Sequence, residues 1–147
     1  MTKTETFTPL NKPSKKQKQE LIHFLYTHLE NFGDPKEQIE KAMNYSLKEY
    51  PSFGGFVAAI YDNNHPLAAV VVNKTGMKGY IPENILVYIA THPQHRGKGL
   101  GKQLMRHALE TAEGDMALHV EPDNPAKKLY EKLGFTNKYL EMRFAKK

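Results

Sequence analysis

The residues His95-Arg96-Gly97-Lys98-Gly99-Leu100-Gly101-Lys102 constrain this chain most. They follow an apolar run, Ile85-Leu86-Val87-Tyr88-Ile89-Ala90, and open an apolar-periodic segment. Strand, basic glycine-rich turn and helix, in that order, make an anion cradle. Glycines let backbone N–H groups approach a ligand closely, and the helix N-terminus adds partial positive charge. Arg96, Lys98 and Lys102 add full charges. The expected guest is a phosphate or pyrophosphate.

The spacing narrows the guest. A dinucleotide fingerprint, Gly-x-Gly-x-x-Gly, fails because position 102 is lysine. A P-loop fails because only three residues separate Gly97 from Gly101, and Gln103 follows Lys102. A third pattern, Arg/Gln-x-x-Gly-x-Gly/Ala, is matched in full by Arg96-Gly97-Lys98-Gly99-Leu100-Gly101.

The rest of the chain must supply a scaffold for this turn. At 147 residues it is expected to form one domain over 1–147. Such a length buries about two-thirds of the unfolded surface without staples. Cysteine is absent, which excludes disulfides, thiolate metal sites and a cysteine nucleophile. No apolar run reaches membrane-spanning length, and the start, Met1-Thr2-Lys3-Thr4-Glu5, is polar. A cytoplasmic location is expected, with no membrane partner. The net charge of +5 suits an anionic ligand, although lysines near the two ends contribute part of it.

Periodicity orders the elements. Residues 5–9 read as a short edge strand. Leu21, Ile22, Leu25, Tyr26 and Leu29 have helical spacing within 15–31. Asp34-Pro35-Lys36-Glu37 reads as a second helix start, with Asp34 as N-cap. Runs at 56–61 and 67–72 read as a hairpin around Asp62-Asn63-Asn64-His65-Pro66. A strand at 85–91, a helix to about Glu113 and a short strand at 116–120 follow. Asn124-Pro125 starts the last helix, Gly134 stops it, and 139–144 reads as a final strand. The order is βααββ-βαβαβ, an α/β mixed sheet with helices on both faces.

A second motif joins the first. Asn124-Pro125-Ala126-Lys127-Lys128-Leu129-Tyr130-Glu131-Lys132-Leu133-Gly134-Phe135 resembles the Asn-x-x-Ala-x-x-Leu-Tyr-x-x-x-Gly-Phe signature of the GCN5-related N-acetyltransferase (GNAT) superfamily. The turn at 96–101 resembles the acetyl-CoA pyrophosphate loop of that family, in the same order and at a similar separation. Together they span about residues 84–144.

The resemblance implies a GNAT-like acyl-CoA N-acyltransferase fold, split between the fourth and fifth strands. The split would take the pantetheine arm of acetyl-CoA as a pseudo-strand along Ile89, Ala90 and Thr91. Arg96, Gly97, Lys98, Gly99, Leu100, Gly101 and Lys102 would wrap the pyrophosphate. Asn124 would meet the pantetheine region, or serve only as a helix cap. Tyr130 would lie near the acetyl-CoA sulfur as general acid, since a phenol keeps its proton at neutral pH. The alternative for Tyr130 is core packing.

The base is open between two residues. His119 stands where some relatives, including ribosomal-protein acetyltransferases, carry a glutamate, and imidazole titrates near neutral pH. Alternation makes it face away from Leu118 and Val120. Glu83 competes, though it is offset from the place where other members carry a glutamate base.

The implied activity is direct acetyl transfer from acetyl-CoA to a primary amine of a small molecule, peptide or protein. A non-catalytic acyl-CoA-sensing module is the alternative. The partners expected are acetyl-CoA and an amine, in a monomer or homodimer. Aromatic residues do not interleave with the basic run, so nucleic acid is not expected. His92 and His95 lack a matching ligand set, so no metal is expected. Phe32, Asp34, Tyr80 and Glu83 are placed to meet an amine or to be plain surface.

Overall fold

Two aliphatic runs set the architecture. β2 (Gly55–Asp62) and β3 (His65–Lys74) pair antiparallel around Asn63 and Asn64. Both asparagines have positive φ, the twist that suits a tight hairpin and that asparagine tolerates. Nearly every residue of these strands is buried, so both sheet faces must be covered.

The computed structural model describes residues 1–146. Around the hairpin stand β1 (Thr2–Phe7), α1 (Lys15–His28), α2 (Lys36–Leu47), β4 (Asn84–Thr91), α3 (Leu100–Thr111), β5 (Met116–Leu118) and α4 (Ala126–Lys132). The sheet order is β1-β2-β3-β4-β5, with β4 and β5 parallel and the other neighbours antiparallel.

Two cores follow from strand alternation. On one face Val57, Ala59, Val71 and Tyr88 pack with Leu21 and Leu25 of α1 and Ile39 and Met43 of α2. On the other, Ala58, Ile60, Val70 and Leu86 pack with Leu104 and Met105 of α3 and Tyr130 of α4. α1 begins with a reciprocal cap, Ser14 and Gln17 each bonding the other's backbone N–H.

β4 carries the irregularity that matters. Tyr88 pairs with Val71 and Leu86 with Val72, so Val87 is an extra residue. This bulge bends the strand where its other edge also loses a partner. β5 pairs with β4 only through Asn84–Met116, Ile85–Ala117 and Leu86–Leu118. Beyond Leu86 the two strands separate, the split expected between the fourth and fifth strands.

Asn84 clamps the closed end. It is 1% exposed, and its Nδ2 donates to the Glu113 carbonyl at 2.7 Å and the Asp115 carbonyl at 3.2 Å. Its own N–H also donates to Asp115 at 3.0 Å.

Several expectations are corrected. The first strand runs Thr2–Phe7 rather than 5–9, and α1 ends at His28, with a 3-10 turn over Glu30–Phe32. β5 stops at Leu118, leaving His119 outside it. α2 starts after Pro35 with no side-chain cap. Residues 139–144 form no strand, and Leu140 and Phe144 are 82% and 89% exposed. A partner strand three residues long offers few ladder bonds against an ordering cost of about 1–2 kcal/mol per residue.

Replacing Asn84 with alanine takes the donor from the Glu113 carbonyl, while the Asp115 carbonyl keeps the backbone N–H of residue 84. Urea denaturation of Asn84→Ala is expected to show a loss of about 1–3 kcal/mol, against no more than a few tenths for Lys74→Ala on the surface.

Candidate functional site

The site grows from the free edge of β4. From Val87 to Thr91, no strand among the described residues covers that edge. Alternate backbone N–H and C=O groups therefore point into the split, where an extended ligand can pair with them. Ile89, Ala90 and Thr91 lie in this stretch. Ile89 is half-buried and its side chain packs toward the α3/α4 core, while its backbone lies on the free edge.

The glycine turn closes the upper end of the split. Gly97 and Gly99 have φ of 81° and 79°, the left-handed region that glycine enters at little cost. Gly99 caps α3 without a side chain. The first helix-donated bond runs from Gln103 N–H to the Gly99 carbonyl, so the amides of Gly99 to Lys102 have no intrahelical acceptor. Gly101 stands where three elements meet: a Cβ there would make ordinary van der Waals contact with Thr91 Oγ1 at 3.5 Å and Leu129 Cδ2 at 3.6 Å. The α3 terminus thus sits directly against the end of β4 and against α4. Open amides, the helix dipole and the exposed cations of Arg96, Lys98 and Lys102 converge there.

Arg96 is steadied from another element. Its Nη2 lies 3.5 Å from Glu30 Oε1, both side chains being half exposed. Next to this pair, the His28 and His92 rings meet at 4.6 Å between centroids, and His92 and His95 at 5.5 Å. These contacts tie the end of α1 to the segment that enters the turn. A cleft of about 520 Å³ lies beside them, lined by His23, His28, His65, His92 and His95 among others. His92 Nδ1 accepts the Gln94 N–H at 3.2 Å, which leaves the ring's proton on Nε2. No group of three or more His, Cys, Asp or Glu among the described residues is placed to hold a metal.

α4 brings Tyr130 to the α3/α4 face of the sheet. Asn124 caps that helix from one residue before Pro125, its Oδ1 accepting the Ala126 N–H at 2.9 Å. Its Nδ2 hydrogens remain for a ligand. At the other end, Gly134 takes φ of 104°, Gly134 N–H donates to Glu131 and Phe135 N–H to Tyr130. This double closure places Phe135 edge-on against the Tyr130 ring, 5.9 Å between centroids. The Gly-Phe ending of the signature is therefore a helix stop that fixes a tyrosine. Tyr130 shares a core with Leu86, the last residue of β4 paired with β5, and Leu100, the first of α3. Burial pushes its phenol up to about 12, so it keeps its proton at any physiological pH.

The two candidate bases part company. His119 is exposed immediately after β5, while Leu118 and Val120 pack toward the α3/α4 core, as alternation requires. Glu83 sits at the closed end, six residues from Ile89, roughly 20 Å along an extended strand. Its Oε1 accepts the Asp115 N–H at 2.7 Å and its Oε2 the Gly79 N–H at 3.1 Å. Those bonds, the Asp115 amide first, hold its carboxyl below the ordinary range. The structure uses Glu83 as a staple for the α3–β5 turn and does not bring it to the split.

Sequence reasoning missed the contact between Tyr88 and Asp34. Tyr88 donates its hydroxyl hydrogen to Asp34 Oδ2 at 2.5 Å. The one available signal was a lone tyrosine within an aliphatic strand.

A free strand edge, an open helix N-terminus and a protonated buried tyrosine are thus assembled around the split. The family model described as "Acetyltransferase (GNAT) family" matches residues 19–135. The chain belongs to that family of acetyltransferases. It is similar to an aminoglycoside N-acetyltransferase AAC(6')-Iy solved in complex with CoA (16% identity, TM-score 0.71, 99% of this chain and 95% of that one). It is also similar to a GNAT family acetyltransferase, SP0256, of Streptococcus pneumoniae (17% identity, TM-score 0.69, 99% and 98% covered). A cysteine-rich protein 2-binding protein of mouse is 37% identical over 60 residues. That match spans 40% of this chain and 8% of the relative's length. The chain thus shares the fold of these two solved structures along nearly its whole length.

The histidine contacts predict a pH effect. Burial first, then His92 and Arg96, lowers the proton affinity of His28, against Glu30. Its folded value is depressed below 6.5, so the unfolded chain binds the extra proton as pH falls through that point. Melting temperature is expected to fall between pH 7.5 and 5.5, and His28→Phe to flatten that slope.

Proposed function

We propose that this chain transfers an acetyl group from acetyl-CoA directly to a primary amine of a small molecule, peptide or protein. One observation carries the reading: the free edge of β4, the open amides of α3 and the protonated Tyr130 meet at one place. Each group suits a different part of the donor.

The amides of Ile89 to Thr91 pair with the pantetheine arm and polarise the thioester carbonyl. Arg96, Lys98, Lys102 and the amides from Gly97 to Gly101 neutralise the pyrophosphate. Asn124 supplies donors to the arm through Nδ2. His119 takes a proton from the acceptor ammonium, directly or through a water. The nitrogen lone pair then forms the C–N bond, and the C–S electrons leave with sulfur. Tyr130 donates its hydroxyl hydrogen to that sulfur, and the second proton, which the nitrogen sheds on becoming a neutral amide, restores the phenol through solvent. No acyl-enzyme is required, and no cysteine exists to form a thioester one.

Glu83 is the weaker base of the two. A carboxylate with a lowered proton affinity, already holding two amides, gains little by accepting a proton.

The test is release of free thiol from acetyl-CoA over a panel of primary amines. Tyr130→Phe is expected to lower kcat about 100-fold while leaving the KM for acetyl-CoA within a few-fold. His119→Ala is expected to lower kcat about 100-fold, and Glu83→Gln to leave it within about twofold. CoA-dependent thermal stabilisation without thiol release on any amine would instead identify a sensing module.

A further inference from the structure

Asp34 has the sequence position of a helix cap and does not act as one. The N-terminus of α2 has no side-chain cap. An aspartate cap is worth about 1 kcal/mol, so giving it up needs a reason. The carboxylate instead crosses to the sheet, where Oδ2 accepts the Tyr88 hydroxyl at 2.5 Å. A short bond of this kind between a phenol and a charged oxygen is strong.

The place of that bond is informative. Tyr88 directly follows the bulge residue Val87. It stands between Leu86, the last residue paired with β5, and Ile89, the first of the three donor-binding positions. Its side chain belongs to the α1/α2 face, whereas Tyr130 belongs to the α3/α4 face. The Asp34–Tyr88 pair and Tyr130 therefore approach the split from opposite sides of the sheet. The donor uses one side, and the acceptor must enter by the other.

The pair also has the right chemistry. Tyr88 is buried and its phenol is pushed up, by burial first and by Asp34 second, so it stays a donor. Asp34 is exposed, and among the described residues no cation pairs with it. One carboxylate oxygen is held by Tyr88. The other is open to solvent on the acceptor side.

We propose that Asp34, held in place by Tyr88, anchors the acceptor amine in its ammonium form. This rests on the acetyltransfer reading above and adds the charge of the acceptor to it. Asp34 is a binding residue and Tyr88 a positioning residue. Neither moves a proton. An anchor that stabilises the ammonium resists its deprotonation, so its benefit falls on KM rather than on kcat.

The experiment compares wild type, Asp34→Asn and Tyr88→Phe on 1,4-diaminobutane, on a short peptide with a free amino terminus, and on hydroxylamine, which is largely uncharged at neutral pH. Asp34→Asn is expected to raise the KM of the cationic acceptors about 10-fold, with kcat within about twofold. Tyr88→Phe is expected to raise it less, about threefold, because the carboxylate remains. The KM for acetyl-CoA and the rate with hydroxylamine are expected to stay unchanged. An equal loss on hydroxylamine, or no change on any acceptor, overturns the proposal. Calorimetry of 1,4-diaminobutane with the CoA-saturated protein separates the two readings. Binding weakened by Asp34→Asn, without thiol release in wild type, overturns acetyl transfer and keeps the anchor. No binding to wild type overturns the anchor itself.

Discussion

The early end of the β4–β5 ladder is the constraint on which everything else depends. Three residue pairs hold the strands together, and then they part. Asn84 fastens the closed end, and the Val87 bulge turns β4 where its partner is lost. An uncovered strand edge inside a domain carries unpaired backbone groups, which is costly unless a ligand satisfies them. In the proposed reading the ligand supplies the missing strand. The α3 terminus lies against Thr91 and Leu129 at Gly101. The open amides of the helix thus fall at the mouth of the split.

Sheet alternation divides the labour. Residues of β4 that point toward α3 and α4 join the core of Tyr130 and Leu100. Tyr88 points the opposite way, toward α1 and α2, and meets Asp34. The bulge makes this division possible, because it shifts the alternation by one residue at the split. Positive charge gathers on the turn, and negative charge stands across the strand from it. On the proposed function, a donor with phosphates and an acceptor with an ammonium would be drawn to different sides of one edge.

Legibility in the sequence followed the range of the interactions. The glycine turn and the Asn124–Phe135 signature are local, and both could be read because their backbone demands are local. Gly134 and Phe135 show this well: a helix stop and its hydrophobic contact lie within six residues of Tyr130. Asp34 shows the opposite. Its flanking residues predict a cap, but a partner 54 positions away wins the carboxylate. Glu83 reads as an available acid until the fold brings Asp115 and Gly79 amides to it. The alternating segment at 139–144 reads as a strand, yet a strand exists only with a neighbour long enough to pair, and β5 has three residues.

Amide hydrogen exchange with and without CoA tests the central claim most directly. The account predicts that CoA slows exchange at Ile89 to Thr91 and at Gly99 to Lys102. Amides of β2 and β3, already paired, should change little. Protection at the turn alone, with the β4 edge exchanging as before, would contradict the idea that the ligand serves as the missing strand.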